Sequence, residues 1–235
     1  MLLRRYGERV DNPLLYVLGQ VLPLAVGISL SPLPVIAVVL VAMSPRARTS
    51  GPAFVVGRML GLAAVLAVVI TAADVLYAFA ASAGLPSIVK LVLGVAILVL
   101  GLTKWRPQPA GTEPALPKWM SALESMPPAR SLGFAFLLTI ANPKELALLL
   151  GVGLTVGGAP LAVLDEVLLA AVFVVVASLT VLTPILAVLV APTRMRPILD
   201  GLGTWLTANN KIVMGVLLVV IGAMVAGGAI SDLAA

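Results

Sequence analysis

Long apolar runs separated by short polar clusters make up most of this chain. Six runs approach or exceed the ~20 residues that a helix needs to cross the hydrocarbon of a bilayer. They cover residues 20–43, 52–79, 85–103, 131–156, 160–190 and 212–229. The second and fifth are long enough to tilt or to extend past the lipid. The pattern predicts an all-α, polytopic membrane domain of six transmembrane helices spanning residues 1–235.

Two of these runs are interrupted. The first carries "SLSPLP" and the fourth carries "IANPKE", so Ser31-Pro32 and Asn142-Pro143 stand at the same offset of 111 residues. A proline lacks an N–H, clashes with the preceding turn and pushes the residue before it out of the helical region. The first and fourth helices are therefore expected to be broken. The proline-rich segment 107–117 separates a first three-helix repeat, 1–106, from a second, 118–235, and its composition predicts an extended linker. Three spans per repeat make the two repeats inverted relative to each other. Matched interruptions in inverted repeats point to the central site of a transporter, although prolines are frequent in membrane helices and two of them can coincide by chance.

Two polar-flanked stretches show apolar residues at helical spacing. In "PILDGLGTWL" these are Ile198, Leu199, Leu202, Trp205 and Leu206, and in "KWMSALESM" they are Trp119, Met120, Leu123 and Met126. Both read as helices lying on the membrane surface or as loops packed against the bundle.

Charge gives the orientation. Arg46 and Arg48 follow the first span, Lys104, Arg106, Lys118 and Arg130 the third, and Arg194, Arg196 and Lys211 the fifth. The other two connections carry almost no positive charge. This bias puts the basic loops in the cytoplasm and both termini outside, in an inner (plasma) membrane. Trp105, Trp119 and Trp205 lie in the basic connections, as interfacial anchors do. The segment "RRYGERVD" is only weakly basic and runs against the assignment.

Composition narrows the chemistry. Hydrophobic residues make up 61% and charged residues 11%, against about 25% charged in a soluble domain. The N-terminus lacks a short apolar core followed by a small-residue cleavage site, so no cleaved leader is expected. The 15 basic residues against 10 acidic are explained by topology and anionic headgroups rather than by nucleic acid. With no cysteine and no histidine, thiol chemistry and the commonest general base and metal ligand are absent. The expectations are no metal, no cofactor and no enzymatic activity.

The fourth span holds the candidate site. Lys144 lies 14 residues beyond Arg130, about 20 Å into the bilayer at helical rise. An ionisable group there costs at least ~2.5–3.5 kcal/mol and faces a cavity or a partner. Lys144 and Glu145 are adjacent, so on a regular helix they do not face each other. A half-helix beginning after Pro143 directs free N–H groups and a positive dipole end into the bundle. With Lys144 it would form a cradle for an anion, Asn142 adding donors and acceptors. A structural lysine–acid pair between helices is the alternative. On the first span Pro32 and Pro34 free carbonyls and Ser31 adds a hydroxyl. Arg58 either snorkels to the surface or reaches inward as a second anion contact. Glu145 and Asp74 are candidates for carrying a proton or an ion. Asp165 and Glu166 suit the start of a helix, and Ser178, Thr180 and Thr183 are expected to bond backbone near Pro184. Gly51 and Gly57 read as close-packing positions.

The stretch "LSPLPVIAVVLVAMSPRARTSGPAFVVGRMLGL", with "ANPKELALLL", "VASLTVLTPILAVLV" and "WLTANNKIVMGVLLVVIGA", resembles the glycolipid-addressing (GAP) family, in particular its sulfolipid-addressing branch, within the lysine-exporter (LysE) superfamily. The resemblance implies six spans in two inverted repeats and a role in moving or placing cell-envelope glycolipids in actinobacteria. It implies membrane lipids and a lipid synthase or larger transporter as partners. The matching motif positions are Ser31, Pro32, Pro34, Arg46, Arg48, Gly51, Asn142, Pro143 and Lys144. Arg58 departs from the pattern, in which an aromatic residue follows the glycine. The paired cysteines of electron-carrying relatives and the acidic "EGD"-type motifs of cation exchangers are absent.

Three functions are compatible with these features: a transporter of an anionic amphiphile, an exporter of small polar solutes such as amino acids, and a non-transporting scaffold for a lipid synthase or transporter.

Overall fold

The computed structural model describes residues 12–80, 85–104, 123 and 125–234. The N-terminal "RRYGERVD" segment, Trp105, Trp119 and the linker at 107–117 lie outside the described residues. So does all of "KWMSALESM" except Leu123, Ser125 and Met126.

Every regular element among the described residues is an α-helix. In chain order these are α1 (Pro13–Ser29), α2 (Pro32–Met43), α3 (Ala47–Ala80), α4 (Leu85–Lys104), α5 (Pro128–Ile140), α6 (Pro143–Val156), α7 (Val163–Val190) and α8 (Pro192–Ala234). The region Ala47–Val75 of α3 and the whole of α7 are each long and apolar enough to cross a membrane. The pairs α1–α2 and α5–α6 meet the same test together, but they bend by 52° and 68° at their junctions. Shorter apolar stretches run through α4 (Leu91–Thr103) and α8 (Leu218–Ile230).

The two bends have one local cause. Pro32 and Pro143 each take the first position of the second half-helix, and the preceding residues, Ser31 (φ −66°, ψ 115°) and Asn142 (φ −92°, ψ 102°), are extended. That is the backbone a residue before proline prefers. Other prolines, Pro23 in α1, Pro52 in α3, Pro184 in α7 and Pro197 in α8, sit inside continuous helix.

The last element corrects one expectation. The surface helix over 197–206 and the final span from 212 belong to a single helix, Pro192–Ala234. Its polar residues do not end it because they bond back to their own turn. Thr204 Oγ1 donates to the carbonyl of Asp200 at 3.0 Å, and Asn209 Nδ2 donates to that of Trp205 at 2.9 Å.

Helix pairs pack at glycines, where two backbones approach closely, as membrane helices do when apolar transfer gives no net drive between them. On α4 and α8, Gly94 lies against Ala226, Gly222 against Leu98, and Gly101 against Leu218 and Val219. Residue numbers rise on one helix as they fall on the other, so α4 and α8 are antiparallel. On α3 and α5, Gly57 lies against Leu132 and Gly61 against Phe136 and Thr139. Here the numbers rise together and the pair is parallel. Gly51 of α3 meets Ile185 of α7, so the close-packing reading of Gly51 and Gly57 holds.

Contacts between the two halves of the chain come in matched sets. As α3 packs on α5, so α7 packs on α1; as α3 packs on α6, so α7 packs on α2; and α8 packs on α2 as α4 packs on α6.

The connections with basic residues share one end of the bundle. Arg46 Nη1 donates to the carbonyl of Ser125 at 3.4 Å, Ser50 Oγ to that of Met126 at 2.7 Å, and Ser131 Oγ to that of Ser50 at 2.8 Å. Ala42, Ala47, Leu123, Val188 and Leu199 belong to one apolar cluster there. At the opposite end Gly157, just after α6, sits against Ala73 and Asp74 near the far end of α3.

Candidate functional site

The ends of the two broken helices are brought together by charge and hydrogen bonding. α1 stops at Ser29, leaving its final carbonyls without the N–H groups of a following turn. Some of these are taken locally, as where the Leu30 and Ser31 N–H groups donate to Val26 and Ile28. Two others are met from the other half of the chain. Lys144 Nζ donates to the carbonyl of Gly27 at 3.3 Å, and Thr180 Oγ1 donates to that of Ser29. A cation at the carbonyl end of a helix also meets its negative dipole. The lysine of the second break thus caps the half-helix of the first.

Glu145 turns the other way. Its Oε2 forms an ion pair with Arg58 Nη1 of α3, and both side chains are wholly buried. The same Nη1 donates to Thr139 Oγ1 at 2.9 Å, and the Thr139 hydroxyl reaches the Ala135 carbonyl of its own helix at 3.2 Å. Arg58 therefore does not snorkel to the surface: it is buried, with Glu145 and Thr139 as its partners. Lys144 and Glu145, neighbours in sequence, have separate partners on α1 and α3, as their helical positions demand.

Several polar atoms at these breaks are buried without a hydrogen-bond partner among the described residues: Ser31 Oγ, Ser178 Oγ, Arg58 Nε and Nη2, and Glu145 Oε1. A buried donor or acceptor left unmade is costly, more so on a charged group. Atoms of this kind mark places where water or a ligand completes the bonding.

The remaining predicted residues are distributed as follows. Ser31 and Asn142 are the residues immediately before α2 and α6, both buried, and neither side chain caps its helix. Pro32 and Pro34 are buried in α2, and Pro143 is exposed. Asp74 is not part of the cluster. It is exposed, and it lies 16 residues along α3 from Arg58, about 24 Å at helical rise. Its neighbours are Gly157 and, near enough for their charges to interact, Glu166. Asp165 and Glu166 occupy the first turn of α7. Thr183 bonds the Leu179 carbonyl of its own helix as expected, whereas Thr180 crosses to Ser29 in the other half. The sequence reading missed Thr139 and Gly27. A hydroxyl three residues before Asn142, in an apolar run, was an available signal for Thr139. Gly27 acts through its carbonyl, which every residue carries, so its type gave none.

A shallow apolar groove of about 280 Å³ lies between α1 and α8, lined by Pro23, Val26, Gly27, Val220, Ile221 and Met224. Val26, Val220 and Met224 are 46%, 52% and 45% exposed, so the groove opens on the outer surface of the bundle. Its inner wall is Gly27, the residue whose carbonyl accepts from Lys144.

A family model described as Sap, sulfolipid-1-addressing protein, matches residues 21–231. No curated protein and no solved structure matches the chain.

Proposed function

The chain belongs to the sulfolipid-1-addressing protein family, and from that premise we propose that it moves or places an anionic amphiphile, a cell-envelope glycolipid, at the crossing of its two broken helices. The observation that carries this reading is the Lys144–Gly27 bond. It ties the start of α6 to the end of α1 beside the buried Arg58–Glu145 pair. Irregular backbone at membrane depth is tolerated where protein or a watery cavity covers it, and intramembrane charge marks a substrate or ion path.

On this reading the protein has six spans in two inverted repeats. The antiparallel α4–α8 pair and the matched contacts of α3 and α7 with the opposite broken helix support it, because inversion relates each of those pairs. The clustered basic connections support a common cytoplasmic face in the inner membrane, with both termini outside. Ser31, Asn142, Lys144 and Arg58 would meet the headgroup, Pro32, Pro34 and Pro143 shape the breaks, and Glu145 serves as a proton or ion carrier. Asp74, remote from the breaks, would act only at the opposite mouth. The reading involves no cofactor and no catalytic step.

The groove at Pro23, Gly27 and Met224 favours a lipid over a small polar solute, because it gives an acyl chain lateral access to the wall behind which Lys144 lies. The test is flux in proteoliposomes. The purified chain should move a labelled anionic lipid between leaflets and leave labelled amino acids where they are. Amino-acid export without lipid movement would install the solute exporter in its place.

A second reading, a scaffold for a lipid synthase or larger transporter, is favoured by the exposed Ile198, Leu202 and Trp205 on α8 at the basic end. Stoichiometric co-purification of such a partner, with no flux by the isolated chain, would select it.

A further inference from the structure

The Arg58 guanidinium is only half used. It carries five N–H donors in a rigid fork, and Nη1 alone makes both of its bonds, to Glu145 and to Thr139. Nε and Nη2, the two nitrogens that form the side edge of the fork, are buried and unpartnered among the described residues. Glu145 is half used in the same way, with Oε2 bonded and Oε1 buried without a partner.

A buried arginine–carboxylate pair whose only role is to hold two helices together gains most from two parallel bonds. It also needs its remaining donors and acceptors satisfied to offset desolvation. This pair makes one such bond, and among the described residues the side edge has no partner. Thr139 and Glu145 both engage Nη1, so neither Nε nor Nη2 takes part in the bonds that hold the guanidinium. The neighbouring end of α6 adds the positive pole of a helix dipole.

We propose that the side edge of Arg58, Nε and Nη2, is a bidentate fork for the oxyanion headgroup of the amphiphile (a sulfate, phosphate or carboxylate), with Glu145 as its displaceable counter-ion. The inference rests on the translocation reading above and assigns that site's anion contact. Arg58 matches two oxygens of one oxyanion, which a lysine's point charge does not do. When the headgroup docks, Arg58 exchanges a carboxylate of the protein for the oxyanion of the ligand. Glu145 is thereby released from its ion pair with Arg58. Thr139 is a positioning residue in this scheme.

The test is equilibrium binding of a radiolabelled long-chain alkyl sulfate to the full chain in neutral phosphatidylcholine nanodiscs, with the alkyl alcohol of the same chain length as control. Arg58→Lys keeps the charge and loses the fork, so sulfate affinity should fall about tenfold or more, the scale of one lost bond to a charged group. Glu145→Gln removes the competitor, so affinity should rise, and the alkyl sulfate should raise the thermal midpoint of this variant more than that of the wild type. Binding of the alcohol should be unchanged in both. Opposite signs for the two variants support the fork. Equal binding by Arg58→Lys and wild type, or a loss in both variants, would overturn it and leave the pair a structural one. If Arg58→Lys does not fold, Glu145→Gln carries the test alone, where a gain supports the fork and no gain overturns it. Anionic-lipid flux by the wild type alongside unaltered binding by Arg58→Lys would sink the fork and leave the translocation reading standing. Fork-dependent binding without flux would do the reverse.

Discussion

Lys144 Nζ lies 3.3 Å from the backbone carbonyl of Gly27, a residue 117 positions earlier in the chain. The amine sits at the start of one half-helix and the carbonyl in the last turn of another, so one contact links the two interruptions of the bundle. The lysine thereby has the backbone of another helix among its partners.

Lys144→Met should therefore destabilise the fold. It leaves a carbonyl of the interrupted α1 without its donor, at a cost of about 1–3 kcal/mol. Lys144→Arg keeps a donor and should lose less. Denaturant unfolding in mild detergent, followed by tryptophan fluorescence, measures both, and an unchanged midpoint for the methionine variant would show that the bond holds nothing.

The Arg58–Glu145 pair should behave as a unit. Removing one partner leaves an uncompensated buried charge, which costs about 3–5 kcal/mol, whereas replacing both by apolar residues of similar volume is close to neutral. Arg58→Met and Glu145→Leu should each lower stability severely, and the double variant should recover most of the loss. Additive losses in the double-mutant cycle would contradict the pairing.

Two glycines on facing helices should respond differently to substitution. A Cβ on Gly57 would lie 2.1 Å from the Leu132 carbonyl oxygen, which is backbone and cannot swing aside, whereas a Cβ on Gly133 meets nothing within 4 Å. Gly57→Ala should force α3 and α5 apart at a cost of about 1–3 kcal/mol or more. Gly133→Ala should be neutral or slightly stabilising, since alanine is the better helix former. Thermal midpoints of the two variants decide it.

The chain has no cysteine, so single cysteines report sidedness without a background. Pro45, Ser125 and Pro160 are exposed. Cysteines at positions 45 and 125 should react with an impermeant maleimide from the cytoplasmic side, and one at position 160 from the other. Reaction of all three from one side would overturn the six-span arrangement.

Much of this architecture was legible in the residue order, because its causes are local. Run length and apolarity set where helices can lie. Pro32 and Pro143 set where two of them break, since a missing N–H and a clash with the preceding turn act within a few residues of the proline. The sequence also required Lys144 and Glu145 to find separate partners, because neighbours on a helix point in different directions. Local pattern was misleading at α8. There an apolar stripe and a polar patch suggested two elements, and Thr204 and Asn209 bond their own helix so that it continues as one.

Partner choice came from the tertiary structure alone. Arg58 could have reached the surface, and only the packing of α3 against α5 and α6 turns it inward to Glu145, 87 residues away. Lys144 chose a carbonyl, a group every residue carries and no side-chain pattern reveals. Thr180 chose the carbonyl of Ser29 in the opposite half rather than one in its own turn. A buried polar group takes whichever partner the assembled helices bring within bonding distance, and that proximity exists only after the chain has closed on itself.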